Sequence, residues 1–81
     1  MNNLKLIVEY INQKNLDKAL VQCDEHDKIS EQYIINNLKG VIYLLKNDQP
    51  LAEEYFIKSH NLNKTFEDPI NNLYLIYLKK K

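Results

Sequence analysis

A chain of 81 residues and 9.7 kDa has room for one small domain with a modest core, so packing against something else would add to a marginal stability. Hydrophobic residues at 44%, charged residues at 27%, one Gly and two Pro exclude a disordered chain and favour helices over a turn-rich fold. All 11 basic residues are Lys and 11 acids balance them, so there is no net field toward nucleic acid or an anionic membrane, and no guanidinium fork to read phosphates.

Leu4, Ile7, Val8 and Ile11 recur at three- and four-residue steps with Lys5, Glu9 and Asn12 between them, which predicts an amphipathic helix over about residues 3–13. Asn15 is a candidate cap for a second helix over about 15–28, with Leu16, Ala19, Leu20 and Cys23 inward and Asp17, Lys18 and Gln22 toward water. The link Gln13-Lys14-Asn15 is short enough to force an antiparallel return, so these helices form a hairpin. Ser30 is a candidate cap for a third helix over about 31–46, carrying Ile34, Leu38, Val41, Tyr43 and Leu45. Pro is favoured in a helix's first turn, so Pro50, capped by Asp48 or Gln49, opens a fourth helix over about 50–62, with Leu51, Ala52, Tyr55 and Phe56 inside. Asp68-Pro69 repeats that signal and opens a fifth helix over about 69–80.

The single Cys cannot form an internal disulfide, no apolar run exceeds the six residues Leu73 to Leu78, and the amino end lacks a cleavage-site pattern. A cytoplasmic protein that does not span a membrane is expected.

Sliding the sequence on itself reveals an internal repeat. A shift of 33 pairs Val8 with Val41, Tyr10 with Tyr43, Ile11 with Leu44, Ala19 with Ala52, Cys23 with Phe56 and Ile29 with Leu62. A shift of 34 pairs Asn37 with Asn71, Val41 with Leu75, Ile42 with Ile76, Tyr43 with Tyr77 and Leu44 with Leu78, which makes the fifth helix a third copy of the first-helix plan. The domain therefore divides into a hairpin at 1–29, a hairpin at 30–64 and a lone helix at 66–81.

The spacing of Gly40, Tyr43, Ala52, Phe56 and Ser59 resembles that of a tetratricopeptide repeat, at its eighth, eleventh, twentieth, twenty-fourth and twenty-seventh positions. Tyr10, Ala19 and Cys23 match in the first hairpin, whereas Ile7 stands where a small residue is usual and His26 where Ala is usual. The third unit matches at Leu73 and Tyr77 but carries Tyr74 at the small position; in the second unit Asn36 takes the fourth position and Lys64 replaces the closing Pro. Bulky Ile7 and Tyr74 predict a wider helix approach in the outer units than Gly40 allows.

The resemblance implies an all-α, right-handed superhelix of about two and a half repeats. It also implies a scaffold that binds protein without catalysis. In such repeats the first helices line a concave groove for a peptide segment or partner helix. The register projects three rungs onto that groove: Leu4, Asn37 and Asn71; Val8, Val41 and Leu75; Ile11, Leu44 and Lys79. The Asn amides would bracket a peptide group while the aliphatic rungs receive side chains. The family's alternative setting is an amino-terminal scaffold segment of a longer bacterial enzyme such as a transferase.

No cofactor or metal is expected. Cys23 and His26 share a helix face, but they align with the packing residues Phe56 and Ser59, and no further ligand or orienting acid completes a metal or nucleophile site. Glu53-Glu54 and Lys79-Lys80-Lys81 sit at the helix ends whose dipole favours their charge. The fifth helix is apolar almost all round, whereas a terminal helix needs a polar outer face. Leu73, Tyr74 and Tyr77 are therefore expected to meet a second copy, another protein or chain beyond Lys81, with a homo-oligomer as one outcome.

Overall fold

The computed structural model describes residues 3–79. They form five α-helices: α1 (Asn3–Asn12), α2 (Leu16–Glu25), α3 (Gln32–Leu45), α4 (Gln49–Leu62) and α5 (Asp68–Lys79), with a 3-10 turn at Ile29–Glu31 before α3. The units expected from sequence also include residues 1, 2, 80 and 81, which lie outside the described residues.

Both hairpin turns are closed by the same backbone device. Lys14 and Asn47, 33 positions apart, each take a left-handed φ, of 63° and 65°. The next amide then reaches back five residues, Asn15 N–H donating to Tyr10 O and Asp48 N–H to Tyr43 O. This six-to-one bond satisfies helix-end carbonyls and turns the chain back on itself. The internal repeat thus extends from side chains to main-chain geometry.

Helix starts agree less evenly with their expected caps. Asp48 Oδ1 accepts from Leu51 N–H at 3.3 Å, and Pro50 lies in the first turn of α4, where its missing N–H costs nothing. Asn15 precedes α2 without a side-chain cap bond. Ser30 does not cap α3, because the 3-10 turn occupies that position and Glu31 precedes the helix instead. Helix α2 stops at Glu25, three residues short of the expected end. Beyond it the chain is extended at His26, where Gln32 Nε2 donates to His26 O at 2.7 Å and His26 Nε2 meets Glu31 Oε1 at 2.8 Å.

The helices form two layers. Helix α3 touches α1 and α5, giving one layer in the order α1–α3–α5. Helix α2 packs on both α1 and α3, and α4 on both α3 and α5, while α2 and α4 have no Cα atoms within 8 Å of each other. The result is a slab of 41 × 27 × 15 Å with α3 at its centre.

Its interior has two apolar clusters. Ile7, Ile11, Ala19, Cys23, Ile35 and Ile42 fill the first, and Ala52, Phe56, Leu73 and Ile76 the second, with Val41 packed against both. Volumes are exchanged between equivalent positions. Gly40 lets the large, fully buried Phe56 approach α3, whereas in the first hairpin a fully buried Ile7 is matched by the smaller Cys23. The helices α1 and α2 still pack on each other, but less extensively than α3 and α4, in line with the wider approach expected beside the bulk of Ile7.

Between α2 and α3, Lys39 Nζ meets Asp24 Oδ1 and Lys46 Nζ meets Asp17 Oδ1, both at 2.9 Å. Exposed carboxylates make these ties worth only a few tenths to about 1 kcal/mol each. The second hairpin is held by a parallel stack of Tyr43 on Tyr55, centroids 5.4 Å apart, and by Ser59 Oγ donating to Tyr33 O at 2.6 Å.

Candidate functional cleft between α3 and α5

Side by side in one layer, the carboxyl halves of α3 and α5 leave a cleft of about 300 Å³ lined by Leu44, Leu75, Ile76, Leu78 and Lys79. It adjoins a wider, more polar depression of about 560 Å³ that shares Leu44 and Lys79 and continues past Leu45, Asn47 and Gln49. Leu75 is 56% exposed and Leu78 is also exposed, so apolar surface faces water here. Lys79, in the last turn of α5, sets a cation at the rim, where the helix carboxyl end favours it. Such a site can bury an aliphatic or aromatic side chain and pair a carboxylate with Lys79.

The nine groove residues expected from sequence divide. Leu44, Leu75 and Lys79 come together in the cleft. Val8 and Asn71 are exposed, Leu4 is half-buried against the first core cluster, and Val41 is half-buried between the two clusters. Ile11 is 9% exposed and belongs to the core, so it does not line a groove. Asn37 departs furthest from expectation. It is buried, and its Oδ1 accepts a hydrogen bond from Asn72 Nδ2 at 3.1 Å. Its amide is therefore a polar tie between α3 and α5 rather than a bracket for a peptide, because the packing of α5 brings Asn72 against it while Asn71 faces outward.

On the other flank of α5, Tyr74 and Tyr77 are exposed as expected, but Leu73 is buried in the second core cluster. Helix α4 covers it, since Leu73, Ile76 and Pro69 share the face turned toward α4. Ile70, one turn before Tyr74, takes its place on the outer stripe. Reasoning from sequence also missed Leu78 and Ile76 in the cleft, although the shift of 34 that pairs Leu44 with Leu78 and Ile42 with Ile76 had signalled them.

The Cys23 and His26 pair offers little for chemistry. Burial pushes the Cys23 thiol up from 9.0 to about 11, Lys39 pulling it down and Asp24 raising it further, so the thiolate is disfavoured. His26 is engaged with Glu31, and no group of three metal-ligating side chains occurs among the described residues. Burial pulls the Lys39 ammonium down, but Asp24, as hydrogen-bond acceptor and as charge, with Tyr55 and Cys23 adding, leaves it above the ordinary lysine value. Lys39 also lies 5.5 Å from the Tyr55 ring centroid and so belongs to the packing of the second hairpin.

Comparison of the chain with protein-family models, with curated proteins and with solved structures gives no match. No helix among the described residues is long and apolar enough to cross a membrane.

Proposed function

We propose that this protein is a non-catalytic, protein-binding scaffold built on the tetratricopeptide plan, taking a peptide segment or partner helix along its α1–α3–α5 layer. The observation that carries this reading is the apolar cleft between α3 and α5, open to water and edged by Lys79. Three more support the repeat plan: the equivalent turns at Lys14 and Asn47, the Gly40–Phe56 approach, and the alternation of α2 and α4 between neighbouring first-layer helices. The ligand recognised is one that presents an apolar anchor to Leu44, Leu75 and Leu78 with an acidic group beside it for Lys79.

Selection of a displayed peptide library on the purified chain tests this. Enriched peptides should pair an aliphatic or aromatic anchor with an Asp, a Glu or a free carboxylate. Leu75→Asp should weaken their binding more than tenfold in fluorescence anisotropy while leaving thermal unfolding unchanged, since Leu75 is largely exposed. A library that yields no enriched sequence, or peptides indifferent to Leu75→Asp, would refute the assignment.

A further inference from the structure

The lining of the α3–α5 cleft discriminates between the two kinds of ligand that a peptide-binding site there could take, an extended segment and a helix. An extended peptide leaves its own N–H and C=O groups for the site to satisfy. The side chain expected to do so, Asn37, is buried, with its Oδ1 accepting from Asn72. The cleft itself is lined by four aliphatic side chains and Lys79, which bring a single ammonium and no side-chain acceptor. A helix bonds its backbone internally and asks of such a site little beyond apolar contact. The fold already uses this solution, since α4 packs on α3 and α5 together.

We infer that the cleft takes an amphipathic helix lying antiparallel to α3 and α5, with an acidic residue of its first turn against Lys79; this rests on the peptide-binding reading of the cleft. Three features set the direction. The carboxyl ends of α3 and α5 lie together, since Leu44 and Leu45 border the same depression as Lys79, and carboxyl ends attract the positive amino end of another helix. A helix also begins with four N–H groups that lack internal acceptors, and the depression adjoining the cleft brings Asn47 and Gln49, whose amide oxygens can accept from them. The third feature is Lys79 itself. Lys39 and Lys46 are held by Asp24 and Asp17, whereas no ion pair ties Lys79 to another of the described residues. The Asp48 carboxylate is committed to its own helix, accepting from Leu51 N–H. A carboxylate in the first turn of a ligand helix is favoured by that helix's own dipole as well as by Lys79.

Lys79 and Leu75 stand one turn apart on α5. Running antiparallel, the ligand meets Lys79 first and Leu75 a turn later, so its acid is followed three or four residues on by an aliphatic or aromatic anchor. The 12 residues of α5 span about 18 Å, which a ligand of about three turns matches.

Displayed peptides of about 16 residues, selected on the purified chain, supply the probe. Circular dichroism of the enriched peptides should show helix gained on binding, and a central proline should weaken them by more than about tenfold. Lys79→Gln should weaken peptides that carry the acid by roughly threefold to fivefold and leave those with Gln in its place unchanged. A nitroxide on the peptide's amino end should broaden the amide signals of Asn47, Gln49 and Lys79, and one on its carboxyl end that of Asn71. Peptides that need Leu75 yet stay extended, tolerate the central proline or reverse the nitroxide pattern would overturn the helix or its direction and leave the cleft's role intact. Enrichment of a carboxyl-terminal carboxylate against Lys79 would do the same, since it sets the ligand's other end there. A library with no enriched peptide, or enriched peptides indifferent to Leu75→Asp, would remove the cleft and this proposal with it.

Discussion

Replacing Gly40 by Ala sets two opposing effects of known size against each other at the centre of the fold. Gly40 lies inside α3 with an ordinary helical backbone, so Ala should gain about 1 kcal/mol of helix propensity there. An added Cβ, however, would lie 2.5 Å from Phe56 Cδ1, closer still to Cε1, and 2.8 Å from Cζ. Carbon contacts are comfortable at about 3.5–4.0 Å, so ring or helix must yield by roughly 1 Å. Phe56 is completely buried against Ala52, Leu73 and Ile76, and a flat ring in a filled core has no flexible end to swing aside. Overpacking of this kind costs about 1–3 kcal/mol, and the large displacement puts it at the upper end, leaving a net loss of about 2 kcal/mol. Urea unfolding followed by circular dichroism should show a lower midpoint at unchanged slope, with the melting temperature down by about 10 °C in a domain of this size. Phe56→Leu should offset much of the loss when combined with Gly40→Ala, giving a coupling energy above about 1 kcal/mol in the double-mutant cycle. A stabilised Gly40→Ala protein, or additive effects in the cycle, would refute the close approach.

Two further expectations concern residues whose roles the tertiary structure changed or sharpened. Asn37→Ala removes the acceptor for Asn72 Nδ2 and should cost about 1–2 kcal/mol without altering peptide binding at the cleft; altered binding at unchanged stability would return Asn37 to the groove. The raised Cys23 pKa predicts an alkaline weakness. Between pH 9 and about 11 the unfolded chain has released the thiol proton and the folded chain still holds it, so stability is full below 9 and falls as pH rises toward about 11. The loss is at most about 3 kcal/mol. Lys39 acts in the same direction at higher pH, since a raised lysine pKa gives stability that is present below 10.5 and lost above the folded value. Urea midpoints measured across that range should fall in the native protein and fall less in Cys23→Ala; equal slopes would rule out the buried thiol as the cause.

Sequence by itself determined the local and the repeated. Apolar residues at three- and four-residue steps select a helix, and Asp-Pro or short polar links end one and begin the next. The shift of 33 also relates Lys14 to Asn47, but that both take a left-handed backbone is seen only in the folded chain. Three of the five cleft residues, Leu44, Leu75 and Lys79, were legible because those positions recur on the same side of successive first-layer helices. Periodicity identifies which face of a helix is apolar, but not which neighbour arrives there or how closely. The arrival of α4 buries Leu73 and leaves Ile70 outside, while the packing of α5 seals Asn37 beneath Asn72. Ile7 fits because Cys23 is small, as Phe56 fits because Gly40 has no side chain. Each of these outcomes depends on two side chains distant in the chain meeting within van der Waals range, and only the folded arrangement decides that.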